Sequence, residues 1–137
     1  MPLYHPDRFP SLRVGPPNER DVKMIIDPAT TGCTGFSVLV SILPPGGSTG
    51  VHVHDGSVEI VHFCGRGRGA IRGEAEDAEA GAVLLVPAGT EHECRNTSEA
   101  ESLRLFCVFL PALDAKQGVL ADLAELTRRF LTGAKGN

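Results

Sequence analysis

Eight short apolar segments run through most of this chain: VKMII (22–26), GFSVLVSIL (35–43), GVHVH (50–54), VEIVHFC (58–64), GAIRGE (69–74), AVLLVP (82–87), EHECRN (91–96) and SLRLFCVFL (102–110). Turn signals close them off, among them PPGG (44–47), DG (55–56), GRGRG (65–69) and PAGT (87–90). No stretch of helical periodicity separates one segment from the next. Parallel strands need crossover connections of a dozen or more residues, usually helical, so this pattern excludes a βαβ fold. It predicts an all-β antiparallel sandwich or barrel.

The two ends of the chain depart from this rhythm. Residues 1–20 are rich in proline and aperiodic, and read as an arm laid on the domain or on a partner subunit. From Asp114 to Thr132, Val119, Leu123, Leu126 and Phe130 recur at helical spacing, with Leu120 and Leu131 beside them. Asp114 followed by Gln117 reads as a capping box and Gly133 as the stop, while Gly118 weakens the first turn. The expected organisation is an arm (1–20), a barrel (21–112) and a C-terminal helix (113–133) whose apolar stripe packs on the barrel's outside.

At 137 residues the chain suits one domain and buries enough surface to need no staple. The four cysteines (Cys33, Cys64, Cys94, Cys107) show no CxxC spacing and read as buried thiols rather than a disulfide frame. A net charge of −4, one Tyr, no Trp and no basic stripe argue against nucleic-acid binding. No run of apolar residues is long enough for a membrane span, and the N-terminus has no signal-like apolar core, so a cytoplasmic protein without membrane contact is expected.

Chemistry concentrates in GVHVHDGSVE (50–59). On a strand, alternate side chains share a face, so His52 and His54 would project together about 6.6 Å apart along the strand. A reversal at Asp55–Gly56 would let the next strand return Glu59 to the same spot. Imidazole and carboxylate donors with open positions suit Fe, Mn, Zn, Ni or Co. HVH alone is also consistent with exposed strand surface.

A second stretch, GAVLLVPAGTEHECRN (81–96), adds a pattern of its own. Gly81, Pro87, Gly89, His92 and Asn96 fall at the spacing of the second signature of the cupin superfamily, which this sequence resembles. Gly46, His52, His54 and Glu59 match the first signature, closed by Gly65 or Gly67. The gap from Glu59 to the closing glycine is five or seven residues where the family has about six, which implies a bulge or shifted turn at GRGRG. The resemblance implies a small single-domain cupin, a jelly-roll-like double-stranded β-helix. It also implies one divalent metal ion held by His52, His54, Glu59 and His92.

The remaining candidates are weaker. Cys94 shares a strand face with His92 and lines the cavity or fills the core. Asn96 secures a turn. His62 faces away from the metal. Arg66, Arg68 and Arg72 cluster after the first motif and could meet an acidic substrate, although Arg66 and Arg68 read at least as well as a solvated turn. Arg72 and Arg104 lie in expected strands and can reach a small-molecule substrate if they point inward. The ligand set implies a metal-dependent enzyme: an oxygenase on a small organic substrate, with Glu59 as a possible base. Isomerase, lyase or cyclase chemistry without redox is the first alternative, and ligand binding without turnover the second. Small cupins pair through the outer face of one sheet, so the resemblance also implies a homodimer, contacted through Tyr4, His5, Phe9 and the outward side of EIVHFC.

Overall fold

The computed structural model describes residues 2–136, with side chains as far as residue 133. After a single 3-10 turn (Pro6–Arg8) come nine strands: β1 (Leu12–Val14), β2 (Arg20–Ile26), β3 (Ser37–Leu43), β4 (Val58–Phe63), β5 (Gly67–Ile71), β6 (Glu74–Ala78), β7 (Val83–Val86), β8 (His92–Asn96) and β9 (Leu103–Leu110). One helix, α1 (Gly118–Gly136), follows. The strands form two antiparallel sheets, a larger one ordered β1-β2-β3-β9-β4-β7 and a smaller one ordered β6-β5-β8. The fold is therefore the antiparallel barrel-like sandwich that the strand rhythm predicts.

Alternation along the central strands builds the interior. In β9, Leu103, Leu105, Cys107 and Phe109 are buried, while the residues between them are more exposed. They meet Met24, Leu43, Val61 and Phe63 from neighbouring strands in one cluster. Each such side chain contributes roughly 1.5–3 kcal/mol by leaving water, so these strands hold the two sheets together.

A second cluster lies on the outer face of the large sheet, where Ile25, Val38 and Val40 are covered by Phe9 and flanked by Tyr4 and Phe130. The Phe9 ring packs edge-on to Tyr4 (5.8 Å between centroids) and tilted against Phe130 (4.8 Å). The arm thus covers its own chain's sheet, and Tyr4 and Phe9 are occupied there. The outward face of β4 and β7 is left open, with Val83 and Leu85 each 62% exposed.

Five local expectations are corrected. The arm contains a short strand, β1, paired to β2. GAIRGE is a hairpin rather than a strand: Ile71 pairs with Glu74 around a two-residue turn, Arg72–Gly73, in which both residues have positive φ (48° and 81°). That is the geometry two-residue hairpins favour, and glycine at its second position is the sequence mark of it. The helix begins later than expected, at Gly118, whose φ of 65° glycine adopts without strain. Asp114 caps no helix and instead accepts a hydrogen bond from the Lys116 amide. Gly133 does not end the helix, which runs on to Gly136.

Helix placement also differs. Leu123, Ala124 and Thr127 form its fully buried face, and Thr127 Oγ1 donates to the Met24 carbonyl. Val119, Leu120 and Leu123 line the barrel cavity, so the first turns of α1 wall its mouth, while Phe130 and Leu131 reach the outer cluster. Val119, expected in the buried stripe, is exposed.

Candidate metal centre

The segment 47–52 runs antiparallel to β8 and completes the small sheet without forming a regular strand. The Asn96 amide donates to the Gly47 carbonyl and the Thr49 amide to that of Cys94, and His52 and His92 exchange both backbone hydrogen bonds at 3.0 Å. Ser48 pairs with Arg95 but His52 with His92, so four residue steps on one side face three on the other. The extra residue is a β-bulge, and Gly50, with φ at 71°, takes the left-handed conformation such bulges use. GVHVH is therefore not the strand the alternation predicted. Its alternation survives: Val51 and Val53 are exposed, while His52 and His54 turn inward.

Glu59 arrives from the opposite side. The turn at Asp55–Gly56 carries the chain across to β4, which pairs with β7 and β9 and not with the histidine segment. The expected return beside the first strand is thus replaced by convergence from two sheets. His92 sits on β8 and is buried, as is Glu59 at 4% exposure.

One donor atom from each of His52, His54, Glu59 and His92 lies within 4.8 Å of every other. His92 Nε2 stands 2.8 Å from Glu59 Oε1 and His54 Nε2 3.6 Å from the same oxygen. The His52 and His92 ring centroids are 4.1 Å apart, and the His54 ring packs edge-on to Phe109. Donors about 2.1 Å from one ion stand at most ~4.2 Å apart, so a small contraction of the widest pair accommodates a divalent cation.

Backbone contacts orient two of these rings. His52 Nδ1–H donates to the Gly50 carbonyl (2.8 Å) and His92 Nδ1–H to that of Thr90 (2.9 Å). A carbonyl only accepts, so each Nδ1 keeps its proton and Nε2 faces the cluster, the outer arrangement typical of metal-binding histidines. Burial lowers the pKa of His52 and of His54, holding both in the neutral form that ligates. At His92 burial also opposes the charge, but the hydrogen bonds to Glu59 and Thr90 and the carboxylate's charge outweigh it, raising the pKa. A proton on His92 Nε2 bridging to Glu59 stands where a cation would satisfy both. The donor set thus fits a divalent metal ion.

The cluster opens into a cavity of about 260 Å³ walled largely by apolar side chains, among them Val22, Leu39, Phe109, Leu113 and Leu120. Of the substrate candidates from sequence, Cys94 lines this cavity, and Arg72 and Arg104 do not. Arg72 is exposed on the β5–β6 turn, and Arg104 faces outward from β9, where it pairs with Asp7. Asn96 is structural: its amide donates to the carbonyls of Leu43, Pro44 and Glu101. His62 is exposed on the outer face, and Arg68 pairs with Asp77 at the surface. Sequence reasoning missed Arg20, whose side chain reaches the cavity. Its place two residues before Val22 on a strand was the available signal.

All four cysteines are free, but only Cys94 and Cys107 are buried; Cys33 and Cys64 are exposed, against expectation. Burial, with the nearby Glu59 charge, pushes the Cys94 thiol up to about 12 and that of Cys107 well above 9.0. Thiolates are the reactive form, so an aromatic disulfide reagent at about pH 8 should titrate only the two exposed thiols in native protein and all four after denaturation. Rapid reaction of a third or fourth native thiol would contradict this burial.

The fold and the cluster define a small β-barrel with three imidazoles and one carboxylate converging at an interior cavity. This chain belongs to the cupin family: the Cupin domain model matches residues 39–109, just over half of it. Protein SchB of Streptomyces halstedii is 32% identical over 98 residues, which cover 66% of this chain and 69% of that protein. A predicted oxalate decarboxylase from Thermotoga maritima superposes with a TM-score of 0.70 at 22% identity, over 80% of this chain and 98% of its own. Ectoine synthase from P. lautus does so with 0.68 at 20% identity, over 91% and 85%. These two structures show likeness of fold. Among the described residues, no helix is long and apolar enough to cross a membrane.

Proposed function

We propose that the chain is a divalent-metal-dependent enzyme acting on a small organic molecule, with His52, His54, Glu59 and His92 as metal ligands and oxygenase chemistry as the leading reading. One observation carries the metal dependence. Apart from the four cluster members, the titratable side chains lining the cavity are Arg20 and two thiols whose burial keeps them protonated. Proton-transfer catalysis needs a group poised near the working pH, and among the described residues none lines the cavity free of the cluster. An ion held by the cluster would then supply the main chemistry, as Lewis-acid activation or redox exchange with oxygen.

The chain's own residues have clear tasks in this reading. The histidines and Glu59 would hold the ion at the inner end of the cavity, where a substrate could reach it. Phe109, Leu39 and the first turns of α1 keep water away and select an apolar substrate body. Glu59 can also act as a base, with His92 Nε2 2.8 Å away to exchange a proton with its carboxylate. That contact favours a second reading, isomerase, lyase or cyclase chemistry without redox.

Metal content by mass spectrometry, on untagged protein purified without chelators in air and under nitrogen, tests the proposal. About one iron per chain, with oxygen uptake in the presence of diketones, catechols or thiols, is the expected result. Zinc or nickel at that level without oxygen uptake overturns the oxygenase reading in favour of the second. No bound metal even after supplementation overturns both, and leaves small-ligand binding without turnover.

A further inference from the structure

Arg20 is the first residue of β2 and shares its inward parity with Val22 and Met24, both in the interior cluster. It lines the same cavity as the four-residue cluster. Nη1 donates to the Asn18 carbonyl at 2.9 Å, and no carboxylate lies within ion-pair reach of the guanidinium among the described residues. Elsewhere, Arg13, Arg68, Arg95, Arg104, Arg128 and Arg129 each have an acidic partner at the surface. Arg20 is half-buried beside a largely apolar wall, and the Asn18 carbonyl is the one protein partner of its guanidinium among the described residues.

A cation half-buried against apolar walls loses part of its hydration, which is costly. Its half-buried position lowers the guanidinium pKa, which reflects that cost, yet arginine keeps its charge. Glu59 supplies the one carboxylate lining the cavity, and it is engaged with His92 and His54. A divalent ion at the cluster would add two further positive charges. The interior therefore asks for a negative charge that the protein does not provide. The remaining polar wall groups, the hydroxyls of Ser41 and Thr49, are neutral. A volume of about 260 Å³ lies below the range of drug-sized pockets, so it admits a molecule no larger than roughly one substituted ring.

We propose that Arg20 anchors a carboxylate of the substrate, so that the ligand of this cavity is a small, mostly apolar organic acid with its other end at the histidine–glutamate cluster. The planar fork of arginine matches a carboxylate with two parallel hydrogen bonds, and the apolar wall between excludes the water that would weaken them. Arg20 is then a specificity-determining residue. The inference deepens the metal-dependent reading and rests on it.

The test compares 4-hydroxybenzoate with 4-hydroxybenzamide, which have the same shape and differ in charge, by calorimetric titration of the full chain, both metal-loaded and metal-free. The acid should bind at least ~10-fold more tightly than the amide, the size of effect a charge-assisted hydrogen bond gives. Arg20→Met should abolish that preference, and Arg20→Lys should keep part of it. Equal affinities in the unaltered protein, binding of neither probe, or a preference unchanged by Arg20→Met overturns the inference. If Arg20 only tethers the Asn18 turn, both variants lower the melting temperature and leave the acid-to-amide ratio as it was, which also overturns it. Metal stoichiometry on the same samples separates the two levels. A chain that binds metal without preferring the acid refutes the anchor alone, whereas one that takes up no metal refutes the metal-dependent reading.

Discussion

His92→Ala should weaken metal binding by at least roughly 100-fold while the barrel stays folded, because even loss of an outer-shell partner costs 10–100-fold. The substitution removes one of four donors outright and opens the bridge to Glu59. It also has a cost in the metal-free protein. Glu59 is almost wholly buried, and His92 at 2.8 Å is the nearer of its two histidine partners, with His54 at 3.6 Å. Stranding a buried carboxylate costs ~3–5 kcal/mol where no second partner remains, and His54 should reduce that here. Adding Glu59→Gln removes the stranded charge, so the double variant should recover part of the lost stability without recovering metal. Mass-spectrometric metal content and thermal melts followed by circular dichroism check both halves. Unchanged metal stoichiometry in His92→Ala would refute the assignment of this ligand.

Part of this centre was legible from local spacing, which puts His52 and His54 on one face, and the full ligand set with His92 came from the resemblance to the two cupin signatures. His52 and His54 turn inward by alternation, and that needs only an extended backbone, so it outlasts the loss of a regular strand around Gly50. The route by which Glu59 reaches them was not legible. Four residues lie between His54 and Glu59, and a turn of that length serves a hairpin or a crossing between sheets equally well. The pairing of β4 with β9, far along the chain, decides the matter, and no local signal encodes it. Arg72 failed as a candidate for a similar reason: whether GAIRGE is one strand or two depends on Gly73 accepting a positive φ, which a strand pattern does not register.

The helix shows the same limit. Its periodicity announced an amphipathic element, but periodicity cannot say what the apolar face meets. The buried stripe is rotated toward Ala124 and Thr127, leaving Val119 at the cavity mouth. Thr127 is hidden because its hydroxyl satisfies the Met24 carbonyl, a contact between residues more than a hundred positions apart. Arg20 was hidden by composition: an arginine at the edge of a strand reads as surface until the neighbouring strands place its parity inside.

The two glycines that could close the first motif, Gly65 and Gly67, differ in the space around them. A Cβ added to Gly67 would stand 2.6 Å from the Arg95 carbonyl oxygen, 2.9 Å from Leu103 and 3.0 Å from Phe63. Gly67 lies in β5 between β6 and β8, opposite Ala78 and Asn96, and the carbonyl it would strike belongs to the backbone of β8. A side chain can rotate away from a clash; a carbonyl held in a sheet cannot. At Gly65 the nearest atom is a Leu103 methyl at 3.3 Å, which can yield. Gly67→Val is therefore expected to destabilise the fold by ~3 kcal/mol or more, at or beyond the top of the usual range for overpacking, and to lower the melting temperature by on the order of 10 °C. Gly65→Ala should change it by only about 2–4 °C, the shift expected for up to ~1 kcal/mol. Thermal melts of the two variants side by side decide it. A Gly67→Val protein that melts with the unaltered chain would mean that β5 and β8 are not packed this closely. The mismatch between five or seven residues and the usual six would then mark a different register at GRGRG.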